Sequence, residues 1–239
     1  MATFRAAGLD GCRAGWLVAA TGSGGGCAVW VAPSLEAAWP WLRDCACVLL
    51  DMPIGLPDAG EASRACDRLA RRMLPPGAGP SVFPAPSRAA LQARTHAEAC
   101  ALSRAAGGKG LSIQCWNILA KIREADAFLR GRPKARGLVR ESHPEVVFSA
   151  LAGPQVQLVP KKRAAGLAAR LELIARHWPE AARACTAASE HYPRKAAAPD
   201  DILDALALCA VAREPGKLAV LGGDRDAAGL PRAIVYPSL

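Results

Sequence analysis

Five acidic residues stand at places where a carboxylate can do chemistry. Asp51 follows the apolar run Ala46-Cys47-Val48-Leu49-Leu50 and precedes Met52-Pro53-Ile54-Gly55-Leu56-Pro57. The carboxyl end of a buried parallel strand is where open α/β sheets bind ligands. A carboxylate is costly there unless it is paired, hydrogen-bonded or on a metal; the structural alternative is a cap on the following turn. Asp10 closes another apolar segment, in Gly8-Leu9-Asp10-Gly11-Cys12-Arg13-Ala14-Gly15-Trp16. By itself it reads equally as a turn aspartate before glycine. Asp200, Asp201 and Asp204 open a run that continues Ala205-Leu206-Ala207-Leu208-Cys209-Ala210-Val211. Acids in a first turn oppose the helix dipole, and Asp200 fits that role. Asp201 and Asp204 share a face of a helix that is apolar all round and therefore buried, which a metal explains better than capping. Glu141, in Glu141-Ser142-His143-Pro144-Glu145, is a further carboxylate at a strand end.

Several acids and no zinc-type His/Cys set point to Mg²⁺ or Mn²⁺, which take oxygen ligands. The matching chemistry is hydrolysis of a phosphodiester, which needs an activated water and charge relief on the leaving oxygen. Read from the residues alone, Asp51 and the pair Asp201 and Asp204 are the acids that favour a metal, with Glu141 as a further catalytic candidate. His143 is a general acid or base, or a strand-end hydrogen-bonding residue. Two other segments are candidates for substrate contact. Residues 81–88, with Ser81, Phe83, Ser87 and Arg88, form a lid, a phosphate-contact loop or a rigid proline-bound connector. Gln114, Asn117, Lys121 and Glu124 lie opposite the apolar stripe of their helix, a face that reads equally as merely solvated. Lys161-Lys162-Arg163 reads as a solvated basic patch, with phosphate contact as the alternative.

The elements that must position these residues follow from hydrophobic periodicity. Segments 4–10, 15–20 and 27–32 are short apolar runs joined by tight turns, which predicts an antiparallel meander. Ser34 caps a helix to about residue 43, and the continuous apolar run 46–50 then predicts a buried parallel strand. Helices are expected over 61–73, rich in arginine, over 88–105, and over 112–130 with its stripe Leu111, Cys115, Ile118, Ile122 and Leu129. The stretch 75–86 is a loop, and Gly107, Gly108 and Gly110 separate the second and third of these helices. A fifth strand is predicted at 137–140, helices at 145–151, 164–177 and 201–212, and short strands at 219–221 and 233–236. The expected architecture is one α/β domain over residues 1–239, a ribonuclease H-like mixed sheet of three antiparallel strands followed by parallel ones. Helices flank it, and a helical insertion occupies about 58–136.

Half of the 239 residues are hydrophobic, enough for a sizeable core. No apolar run reaches the length of a membrane span, and the N-terminus has no signal-peptide pattern. The 9 cysteines are odd in number and irregularly spaced, which predicts free thiols in a reducing cytoplasm. The net charge of +9 favours encounter with polyanions, and equally serves solubility.

The motif around Asp10 resembles the opening of a bacterial family of unknown function, domain of unknown function 429, whose members are regarded as ribonuclease H-like nucleases. The likeness continues through Asp51-Met52-Pro53-Ile54-Gly55-Leu56, Arg64-Ala65-Cys66-Asp67, Ser81-Val82-Phe83-Pro84-Ala85-Pro86-Ser87-Arg88 and Ser112-Ile113-Gln114. It extends over Lys121-Ile122-Arg123-Glu124-Ala125-Asp126, Glu141-Ser142-His143-Pro144-Glu145, Asp200-Asp201-Ile202-Leu203-Asp204-Ala205 and Ile234-Val235-Tyr236. This resemblance implies metal-binding acids from the first strand, the fourth strand and the last helix, roles that fall on Asp10, Asp51, and Asp201 with Asp204. The spacing in that helix resembles the Holliday-junction resolvase branch. Within the shared motifs, Arg13, Ser81, Arg88, Gln114, Lys121 and His143 are the expected substrate contacts, and nucleic acid is the expected partner. Competing readings are a non-catalytic nucleic-acid-binding protein, a small-molecule phosphoesterase, and an ATP-binding protein of the actin-like fold. The last requires a second related domain, and no second Asp-x-Gly hairpin occurs. Thiol titration of the denatured, unreduced protein is expected to find close to all nine cysteines reactive; several disulfides would overturn the cytoplasmic expectation.

Overall fold

The computed structural model describes residues 3–153, 156–161 and 163–238. Among these residues seven strands form one sheet: β1 (Phe4–Cys12), β2 (Gly15–Gly22), β3 (Cys27–Ala32), β4 (Cys47–Leu50), β5 (Val139–Ser142), β6 (Leu218–Arg225) and β7 (Pro231–Pro237). Their order is β3-β2-β1-β4-β5-β7-β6. The β1–β2–β3 meander is antiparallel, as the tight turns predict. The contacts β1–β4, β4–β5 and β5–β7 are parallel, and β6–β7 is an antiparallel hairpin. The helices are α1 (Leu35–Leu42), α2 (Ala65–Met73), α3 (His96–Ala105), α4 (Ile113–Asn117), α5 (Leu119–Gly131), α6 (Pro133–Leu138), α7 (Pro144–Ala152), α8 (Ala164–His177), α9 (Glu180–His191) and α10 (Pro199–Ala212). The chain is thus α/β, with a mixed sheet flanked by helices.

Strand alternation sends side chains to two cores. Leu9, Trp16, Val18, Val48 and Leu50 face one core, under α1 and α5. Leu17, Ala19, Cys47 and Leu49 face the other, under α10. Every residue of α10 from Ile202 to Ala212 is buried, as its all-round apolar sequence requires. Helix α10 lies so close to β1 that a Cβ on Gly8 would stand 2.3 Å from the Ala205 oxygen and 2.3 Å from the Cys209 nitrogen. Only a residue without a side chain fits there.

Several boundaries differ from the sequence expectation. The helix expected over 61–73 starts at Ala65, because the preceding residues are drawn into tertiary pairs: Arg64 enters the core, and the Glu61 carboxylate accepts from the Asp58 amide and pairs with Arg232. The span 88–105 breaks into a 3₁₀ turn, Arg88–Gln92, and α3, with the Thr95 hydroxyl accepting from the Glu98 amide to start the helix afresh. The span 112–130 breaks at Ile118, between α4 and α5. Residues 137–138 belong to α6, which begins with a proline at its first turn, so β5 runs two residues later than expected. Helix α9 gave no expectation at all. Its inward face is Ala181, Cys185 and Ala188, at helical spacing. All nine cysteines are free, and no helix among the described residues is long and apolar enough to cross a membrane.

Replacing Gly8 by alanine is expected to destabilise the protein by about 1–3 kcal/mol, the range for overpacking a tight core. Urea unfolding measures this, and an unchanged midpoint would contradict the close approach of α10 to β1.

A candidate metal centre at the strand ends

Three acids are brought together by three different elements. The β1–β4 register pairs Leu9 with Leu50, and the Asp51 amide continues the ladder by donating to the Leu9 carbonyl at 2.9 Å. Asp10 and Asp51 therefore fall in equivalent positions of adjacent parallel strands and share the face covered by α10. Helix α10, seated on Gly8 through Ala205 and Leu208, carries Asp204 to the same place. Carboxylate oxygens of Asp10, Asp51 and Asp204 all lie within 4.8 Å of one another. Asp10 and Asp204 are buried and Asp51 is half-buried.

Such a cluster resists full ionisation. Burial, then the neighbouring carboxylates of Asp51, Asp204 and Asp201, raise Asp10 well above the ordinary carboxylate range. Burial pushes Asp51 up to about 7, with Glu145 and Asp201 adding to it and Lys161 opposing. Burial likewise pushes Asp204 up to about 7, against the pull of Lys161. The Lys161 ammonium donates to Asp204 Oδ2 at 2.7 Å, while Asp204 Oδ1 is buried with no hydrogen-bond partner. An orphaned buried carboxylate oxygen is expensive. An all-oxygen donor set with an unfilled acceptor fits Mg²⁺ or Mn²⁺ and not a metal that favours thiolate or imidazole.

Lys161 was expected in a solvated patch; it instead reaches the acids, and Lys162 lies outside the described residues. Its segment, residues 156–161, is anchored on α8. Arg170 donates to the Val159 carbonyl at 2.7 Å and to Glu145 at 2.8 Å, and a Cβ on Gly166 would collide with the Pro160 oxygen at 2.2 Å.

Other expected site residues are committed elsewhere. Asp201 Oδ2 accepts from the Ala198 amide at 2.8 Å, so it caps α10 from the first turn and is not one of the three clustered acids. Glu141 is not in the cluster either. Its two oxygens each accept from Arg64 at 2.7 Å, and one also accepts from the Ile54 amide at 2.7 Å. Arg64 in turn pairs with Asp67 and donates to the carbonyls of Ile54 and Gly55, clamping the turn that follows Asp51. The motif 64–67 signalled this; its function as a clamp needed the fold. Arg88 is not a free phosphate contact: it pairs with Asp126 and Asp226. Lys121 donates to the Gly15 carbonyl at 2.5 Å and lies over the Trp16 ring. Arg13 is exposed at the tip of the β1–β2 hairpin, and neither it, Lys121 nor Arg88 lines the cleft above the acids.

Ser81, Gln114 and His143 do line that cleft. The Ser81 hydroxyl donates to the Ala78 carbonyl at 2.8 Å, and its carbonyl lies 3.2 Å from His143 Nε2. A carbonyl only accepts, so Nε2 carries the proton and Nδ1 is the free acceptor, buried without a partner. Burial lowers the His143 pKa, which keeps the imidazole neutral near neutral pH.

Fold and site together define an open α/β sheet protein with a three-carboxylate cluster at the carboxyl ends of its central strands, under the start of a buried helix. The chain belongs to the family described as protein of unknown function, DUF429, whose profile matches residues 8–227. No curated protein and no solved structure matches it.

In the unfolded chain these aspartates titrate near 3.8, and in the native protein Asp51 and Asp204 titrate at about 7. Between the two values the native state holds the extra protons, so stability from this cluster falls as pH rises and is gone above the native pKa. The melting temperature in chelator should therefore show a loss from this cluster between about pH 4 and about pH 7, and Asp51→Asn should reduce that loss. Mn²⁺ must displace the protons, so its stabilisation should be small at the lower pH and large at the higher. A Mn²⁺ effect that is absent, or equal in wild type and Asp51→Asn, would remove the metal reading of the cluster.

Proposed function

We propose that the protein is a metal-dependent hydrolase of phosphoester bonds, built on a ribonuclease H-like sheet and acting in the cytoplasm. The observation that carries the reading is the meeting of Asp10, Asp51 and Asp204 within 4.8 Å, with one buried Asp204 oxygen left unpartnered. The strand order, with its antiparallel meander followed by parallel strands, supports the ribonuclease H-like assignment. So does the origin of the acids from β1, the end of β4 and the last long helix.

In this reading Asp10, Asp51 and Asp204 hold Mg²⁺ or Mn²⁺. The ion supplies water activation at neutral pH and charge relief on the phosphoryl oxygens. The Lys161 ammonium, beside Asp204, neutralises part of the acid cluster and is placed to meet a phosphoryl oxygen. His143 lines the cleft as a neutral imidazole, but its Nδ1 is closed to water, so we assign it a positioning role and not that of the base. Asp201 and Glu141 act at one remove, by holding the start of α10 and the turn after Asp51.

Hydrolysis of an aryl phosphodiester and of oligonucleotides with Mn²⁺ tests this. Asp10→Asn, Asp51→Asn and Asp204→Asn are each expected to lower kcat at least about 100-fold, as loss of a group that acts directly on the reaction does. Asp201→Ala is expected to keep most of the activity and to lose about 1 kcal/mol of stability through its cap. Wild-type rates in Asp51→Asn, or activity that persists in excess chelator, would sink the proposal.

A further inference from the structure

The acid cluster sits in one cleft of about 1040 Å³, the upper end of what small-molecule sites span. Its walls come from two irregular segments. Leu74, Val82 and Phe83 stand on one, and Val156, Leu158 and Val159 on the other. Val156 and Val159 are exposed and line the cleft, where an apolar body would cover them.

The charge of the lining runs against that of the chain. The whole sequence carries +9, yet the cleft is lined by six acids, Asp10, Asp51, Asp67, Glu141, Glu145 and Asp204, and three cations. Each of those cations is already paired inside the cleft: Arg64 with Asp67 and Glu141, Arg170 with Glu145, and Lys161 with Asp204. A nucleic-acid strand needs a row of cations along successive phosphates. Among the described residues this cleft supplies none that is uncommitted. It offers instead one place for a phosphoryl group, at the divalent ion that Asp10, Asp51 and Asp204 would hold, with Lys161 tied to Asp204 beside it, and an apolar chamber next to that.

We infer that the substrate is a compact phosphoester, a single phosphoryl group bearing an apolar or planar organic body, and not a nucleic-acid polymer. The phosphoryl group lies at the acid cluster, and the body lies between the 74–83 and 156–160 segments. His143, Gln114 and Ser81 supply the polar contacts in the chamber. The basic surface outside the cleft then serves solubility or encounter, not recognition of successive phosphates. This inference rests on the hydrolase reading for the bond that is cut, but its binding half stands apart from turnover.

Bis(p-nitrophenyl) phosphate, with one phosphoryl group between two planar rings, is a direct probe. Its hydrolysis with Mn²⁺ is compared with cutting of single-stranded and duplex oligonucleotides. The expected result is turnover of the aryl ester, with oligonucleotides neither cut nor competing. Val156→Trp narrows the cleft from an exposed position and should raise KM about tenfold while the Mn²⁺-induced melting shift stays unchanged. Phe83→Ala, on the opposite wall, should raise KM as well. Internal cutting of an oligonucleotide, or competitive inhibition by one, would overturn the substrate class while leaving the hydrolase reading intact. If nothing is hydrolysed, the hydrolase reading fails by itself, and equilibrium dialysis of the aryl ester against Mn²⁺-loaded protein decides the inference. Retention by wild type and loss in Val156→Trp supports it; no retention by wild type overturns it.

Discussion

Helix α10 can approach β1 because residue 8 has no side chain. A Cβ there would occupy the space of the Ala205 oxygen and the Cys209 nitrogen. With the helix seated at that depth, Asp204 meets Asp10 and Asp51 across the end of the sheet. A helix standing off by the thickness of a methyl group would separate the acids and open a gap under residues buried from Ile202 to Ala212. Core packing and site geometry are thus the same contact.

The cost of that contact is electrostatic. Three carboxylates brought this close repel, and burial alone disfavours their charged forms. The fold offsets this with a cation from an irregular segment. Residues 156–161 run over the cleft, tied to α8 by Arg170 and by the close fit of Gly166 under Pro160, and they present Lys161 to Asp204. One buried Asp204 oxygen still lacks a partner. The site is stable enough to form and still short of a ligand, which is the condition expected of a binding centre.

Around it, a second set of charges is fully committed. Arg64 satisfies Glu141 and Asp67 and holds the carbonyls of Ile54 and Gly55; breaking such a buried pair leaves an uncompensated charge. Arg88 binds Asp126 and Asp226, and Asp226 also accepts from the Leu56 amide. These two arginines hold residues 54 to 56 of the turn that follows Asp51. The cleft wall therefore rests on ion pairs that span the chain, and its charge differs in sign from that of the whole protein.

Much of this was legible in the sequence because it depends on neighbours. The apolar run before Asp51 could only be a buried strand, and β4 is found at Cys47–Leu50. The tight turns gave the meander, the all-round apolar pattern gave a buried α10, and α8 occupies the span its periodicity predicts. Asp51 stood out by its place after a buried strand and Asp204 by its place on a buried helix, while Asp10 read equally as a turn aspartate. Helix α9 gave no expectation, although Ala181, Cys185 and Ala188 mark its inner face at helical spacing. Tertiary structure alone decided which acids are spent. Glu141 and Asp10 look alike as strand-end carboxylates, but Glu141 meets an arginine 77 residues away and Asp10 meets other acids. Lys161 looks like its solvated neighbours until the chain places it against Asp204, 43 residues on. A residue's type and local pattern fix where its side chain starts; the charge that it meets depends on contacts distant in sequence, and only folding sets those.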